Sequence, residues 1–198
     1  MDESTLVVAQ RDQPMVSQAP EIQDQVQERA EPQPTRKSKS SGTVQIRLAR
    51  TEQDLRGLTE LGVGAVAESP FLSRYNYDPE RLFQKGYERL KKAPKQNCVL
   101  MAELDGNPVG FLWAQIGEHL FVDALSAQCL TFYVKPEHRS GFAAVKLLKS
   151  YQRWAELQGC DTIALHVTSG LRMDTTDRFL RRMGFAQVGG NYEKGRDR

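Results

Sequence analysis

The chain contains no apolar run approaching the length of a membrane-spanning helix, so a span is not expected. It has three cysteines, Cys98, Cys129 and Cys160, with no C-x-x-C pair and no histidine at metal-ligand spacing. That argues against both a structural zinc site and a disulfide framework. Each cysteine lies in or beside an apolar stretch, so all three read as reduced, mostly buried thiols in a reducing compartment. Net charge is scarce too: 27 Lys and Arg against 25 Asp and Glu leave +2. This is too little to draw the whole protein to nucleic acid or to an anionic membrane. Met1-Asp2-Glu3 is acidic and the early apolar run Leu6 to Ala9 is too short for a signal core, so a soluble, cytoplasmic protein is expected.

What is present is distributed unevenly. Residues 1–43 are rich in Gln, Glu, Pro and Ser and poor in aromatics, and are expected to be a disordered tail. Its basic cluster Arg36-Lys37-Ser38-Lys39 reads as a solvated linker rather than a phosphate-binding arm. Residues 44–198 are rich in Leu, Val, Phe and Tyr and are expected to form one folded domain.

Within that domain, Gln45 to Ala49 alternates apolar and polar residues, as a half-buried strand does. Thr51-Glu52-Gln53-Asp54 has the side chains of a capping box, with Leu55, Leu58, Gly62, Ala65 and Val66 following at helical spacing. Ser69-Pro70 ends that helix. Asp78-Pro79 opens a second, with Phe83, Tyr87 and Leu90 as its apolar face. Asn97 to Ala114 reads as a hairpin turning at Asp105-Gly106-Asn107, followed by a looser segment from Gln115 to Ser126. After a long helix ending near Gly159, Thr162 to Val167 reads as a strand. Asp174 to Met183 reads as a helix stopped by Gly184, and Phe185 to Val188 as a last strand.

The stretch from Leu130 to Tyr151 organises the rest. Leu130 to Val134 is β-branched and aromatic, Pro136 stops it, and Ser140-Gly141 opens a segment with Ala144, Leu147, Leu148, Tyr151 and Ala155 at helical spacing. The first N–H groups of a helix have no intrahelical acceptor and carry the positive end of the helix dipole, so this strand, turn and helix make an anion site. Arg139 adds a full charge beside it.

The order of these elements, with Ile46-Arg47-Leu48-Ala49 before the capping box, Val134-Lys135-Pro136-Glu137-His138-Arg139, and Met183-Gly184-Phe185, resembles the GNAT (GCN5-related) N-acetyltransferase family. The resemblance covers Val44 to about Tyr192. It implies an α/β (α+β) class, three-layer fold with a central mixed, mostly antiparallel sheet and helices on both faces. The family's cofactor motif, R/Q-x-x-G-x-G/A, is matched imperfectly. Counting from Arg139 puts Phe142 at the first Gly, whereas counting from His138 fits Gly141 and Ala143 but loses the Arg. Arg139-Ser140-Gly141-Phe142-Ala143-Ala144 is similar to the R-G-G-x-A-A variant of GNAT-like proteins in tailed phages, which favours the first register.

The resemblance implies acetyl-CoA as co-substrate, with Phe132, Tyr133 and Val134 offering main-chain groups to the pantetheine arm. Arg139, Ser140, Gly141, Phe142, Ala143 and Ala144 would hold the pyrophosphate; no metal is implied. The partner is an amine of a protein, peptide or small molecule. Leu180 stands where many members carry an acidic Tyr, and the strand from Gln128 to Val134 lacks the Glu that often acts as base. Tyr192 is the catalytic candidate, with Ser169, Glu118 and His119 behind it; His166 reads as a core histidine. Only one strand fits after Phe185, so the acceptor side is expected to be open or completed by a second copy in a homodimer. The alternative is a catalytically degenerate GNAT-fold binding or structural protein, such as a phage virion component.

Overall fold

The computed structural model describes residues 42–192 and Lys194. The expected tail, 1–43, lies outside the described residues except for Gly42 and Thr43. The element order is β1 (Val44–Leu48), α1 (Glu52–Glu68), α2 (Pro79–Lys92), β2 (Asn97–Leu104), β3 (Asn107–Glu118), β4 (Leu125–Val134), a 3-10 turn (Pro136–His138), α3 (Ala143–Leu157), β5 (Thr162–Leu165) and α4 (Met173–Arg182). The strands form one sheet in the order β1-β2-β3-β4-β5. The first four are antiparallel neighbours and β5 lies parallel to β4. This is the expected mixed, mostly antiparallel sheet.

Both faces of the sheet are covered. One buries Leu100, Leu112, Ala114, Cys129 and Val134 against Leu147, Leu148, Tyr151 and Ala155 of α3, with Phe179 and Leu180 of α4 at its margin. The other buries Val99, Met101, Phe111, Trp113 and Tyr133 against Leu58 and Leu61 of α1. Because β2 and β3 are buried on both sides, their sequences read as continuous apolar runs rather than alternating ones. Among the described residues no helix is long and apolar enough to cross a membrane.

Several expected boundaries shift. The segment Gln115 to Ser126 is mostly paired strand, with Gly117 opposite Ser126 and Glu118 opposite Leu125, so the true loop is only 119–124. Backbone pairing holds it where the polar side chains give no periodic signal. In α3 the buried small residue is Ala143 rather than Ala144, because the helix begins two residues after Gly141. β5 stops at Leu165, and Phe185 to Val188 forms no strand. Phe185 is held instead by its N–H to the Leu180 carbonyl and packs on the α3 core, and Val188 is exposed.

The capping box of α1 forms as expected: the Thr51 side chain accepts from the Asp54 N–H and Asp54 from the Thr51 N–H. Asp54 also accepts from the Arg50 N–H and lies 2.7 Å from Arg47 Nη2. Burial works against its charge, but the Arg47 guanidinium and the two backbone donors outweigh that and hold the carboxyl well below the usual carboxylate range. A carboxyl depressed in the folded state contributes stability above its unfolded pKa, about 3.9, and loses that contribution as pH falls below it. Asp54→Asn is therefore expected to lower stability at pH 7 by about 1–3 kcal/mol and to flatten the loss below pH 4. Urea unfolding at pH 7 and pH 3 measures both.

Candidate active site

The register of β4 changes in its middle. Trp113 faces Thr131 and Ala114 faces Cys129, so Leu130 has no partner in β3 and bulges from the strand. On its other side β4 pairs with β5 only from Ser126 to Cys129. β5 ends opposite Cys129, so the pairing stops just before the bulge. From Leu130 to Val134 the main chain of β4 therefore has no strand neighbour on that side, and of its carbonyls Thr131 accepts from Cys129 Sγ and Val134 from Arg139. Phe132 and Val134 turn toward α3, and Tyr133 turns toward α1.

This open edge leads into the turn. Lys135 N–H donates to the Val109 carbonyl, Arg139 N–H to Pro136 and Gly141 N–H to His138. The first N–H of α3 with a backbone acceptor is that of Lys146, on the Phe142 carbonyl at 2.9 Å. The N-terminus of α3 has no side-chain cap and no acidic residue in its first turn. Its orphan donors and dipole are thus left for an anion. Ser140 and Gly141 are exposed, Ala143 is buried and Ala144 half-buried. Phe142, at the position of the motif's first Gly, is 73% exposed and does not fill the turn.

Arg139 sits at the junction. Its Nε donates to the Val134 carbonyl at 2.8 Å, and its Nη2 lies 2.7 Å from Glu68 Oε2. The other Glu68 oxygen accepts from the Tyr133 hydroxyl at 2.8 Å. Burial, reinforced by that hydrogen bond, pushes the Tyr133 phenol up to about 12. Gly64, one turn before Glu68, is required here, since a Cβ would collide with the Tyr133 hydroxyl. Glu68 was not singled out in the sequence, where nothing but its place at the end of a helix distinguishes it.

The remaining candidates are dispersed. Tyr192 is 96% exposed, next to Asn191, whose Nδ2 donates to the Val167 carbonyl beyond β5. Ser169 Oγ accepts from the Leu171 N–H. Glu118 and His119 lie at the Leu125 end of β4, the end away from the N-terminus of α3. His166, read as a core histidine, is exposed just past β5, because that strand ends earlier than its sequence suggests. Leu180 is half-buried against the α3 core, in the position expected to carry a Tyr in many relatives. Burial pushes the Cys98 and Cys129 thiols up to about 12, which makes them poor nucleophiles. Among the described residues no cluster of three or more His, Cys, Asp or Glu could hold a metal.

A strand that bulges, loses its parallel neighbour and ends at an uncapped helix N-terminus is an arrangement that can accept an extended ligand with an anionic end. The acetyltransferase (GNAT) family model matches residues 65–185, more than half of the chain, and the chain belongs to that family. As a member it is an acyltransferase.

Solved structures share the fold. A transcriptional regulator from Bacillus halodurans C-125 superposes with a TM-score of 0.63 at 22% identity, over 77% of this chain and 99% of that one. The glucosamine-6-phosphate N-acetyltransferase of Arabidopsis thaliana gives 0.61 at 14% identity, over 78% and 99%. AAC(6')-Iy, solved with the bisubstrate analogue CoA-S-monomethyl-acetylneamine, gives 0.61 at 19% identity, over 79% and 99%. No curated protein matches the chain by sequence.

Proposed function

We propose that the protein transfers an acetyl group from acetyl-CoA to an amine. The observation that carries this reading is the open edge of β4 from Leu130 to Val134, continuous with the N-terminus of α3 and Arg139. In this reading the main chain of Phe132, Tyr133 and Val134 binds the pantetheine arm. Arg139 to Ala144 bind the pyrophosphate, with Arg139 as the one full positive charge among those six residues. A main-chain donor freed at the Leu130 bulge suits the oxyanion of acyl transfer. β4 carries no carboxylate or imidazole, so proton removal from the ammonium, near pKa ~10.4 when free, falls to water or to exposed groups at the open edge. Tyr192, kept beside the end of β5 by Asn191, is the acid candidate.

The acceptor is an amine of a protein, peptide or small molecule. Among the described residues the outer edge of β5 has no strand neighbour, which suits a second copy closing the acceptor side; light scattering tests for that dimer. The test of activity is incubation with labelled acetyl-CoA and cell lysates, followed by mass spectrometry. Label on amines, lost in an Arg139 variant, is expected. Binding of acetyl-CoA without any transfer would support a second reading, favoured by Leu180: a GNAT fold kept for binding or for a structural role, such as the phage virion component suggested by the turn's sequence.

A further inference from the structure

Glu68 stands against its local electrostatics. It is the last residue of α1, where the helix dipole disfavours a negative charge, and the last turn of that helix contains no basic residue. Its side chain is only 27% exposed. The compensation comes from across the fold, with Tyr133 on one carboxylate oxygen and Arg139 on the other.

The geometry at Arg139 explains what this arrangement can do. A guanidinium has five N–H donors in a rigid plane. Here Nε is bound to the Val134 carbonyl and Nη2 to Glu68, which fixes that plane at two points. Nη1 has no partner among the described residues, and the side chain is 36% exposed. The plane also lies against the Tyr133 ring, with Cζ 5.6 Å from its centroid. An otherwise flexible cation is thus held in one orientation before any ligand arrives, so less rotamer freedom is lost on binding.

We propose that Glu68 is a positioning residue for the cofactor turn: it orients Arg139 so that its free donors meet the anionic end of the co-substrate. The proposal rests on the acetyl-CoA reading above. A purely electrostatic role would run the other way, since removing a carboxylate beside the site would strengthen anion binding.

The test is calorimetric titration of the full chain with acetyl-CoA in four forms: wild type, Glu68→Gln, Arg139→Ala and the double variant, each with its thermal unfolding followed without ligand. Glu68→Gln is expected to bind about tenfold more weakly, the worth of one charge-assisted hydrogen bond. The double variant is expected to bind no more weakly than Arg139→Ala alone, because Glu68 acts through Arg139. Equal or tighter binding by Glu68→Gln overturns the proposal, as does a loss that persists in the Arg139→Ala background. A wild-type protein that binds no acetyl-CoA overturns the co-substrate reading together with this one. If Glu68→Gln fails to fold, Arg139→Lys carries the test. It keeps the charge without the planar fork and is expected to lose the same factor; undiminished binding overturns the proposal.

Discussion

Saturating acetyl-CoA is expected to raise the unfolding temperature of the wild-type chain by about 5–10 °C, and Arg139→Glu is expected to abolish that rise. A ligand at a hundredfold excess over its Kd stabilises the folded state by about 2.7 kcal/mol, and a domain of this size gains about 2–4 °C per kcal/mol. Arg139 is a full cation at the turn whose Nη1 has no partner among the described residues. Its replacement by Glu sets a second carboxylate beside Glu68 and against the incoming phosphates. The variant also loses the Val134 and Glu68 contacts, so its unliganded stability is measured alongside. The quantity that decides is the ligand-induced shift, and a shift retained in Arg139→Glu would remove Arg139 from the binding site.

Leu148→Ala is expected to cost about 2–5 kcal/mol in urea unfolding. Leu148 is fully buried between α3 and the sheet, in a layer with Leu147, Tyr151 and Ala155. Truncation leaves a cavity that the rigid sheet below cannot collapse to fill. The consequence reaches the site, because the packing of this helix aims its N-terminus at the edge of β4. Tyr151, in the same layer, donates its hydroxyl to the Ala164 carbonyl at 2.9 Å and so ties α3 to β5. Leu157, on the same helix but 65% exposed, is the control: Leu157→Ala is expected to change stability by no more than about 0.5 kcal/mol. Similar losses in both variants would mean that α3 is not docked as described.

Much of the architecture was legible because its signals are local. The Thr51 capping box, the Asp78 cap with Pro79, and the Asp105-Gly106 turn all form where their side chains and backbone preferences call for them. Gly159 and Gly184 each take the positive φ that ends the helix before them. The strand endings were less legible. Gln115 to Glu118 joins β3 through backbone pairing, which leaves no pattern in side-chain polarity. Phe185 to Val188 has strand-like residues but pairs with no strand, so composition overstated it.

For the site, the sequence by itself determined the strand, the turn and the helix that follows, because these follow from β-branched residues, Pro136 and the helical spacing of Leu147, Leu148, Tyr151 and Ala155. It determined no acid or base, and β4 offers none. Only the tertiary structure decided that Leu130 bulges, that β5 leaves β4 at Cys129, and that Glu68 meets Tyr133 and Arg139. Each of these is a relation between residues far apart in the chain, set by which strand lies beside which and which helix covers them. Local propensity contains no term for such a relation.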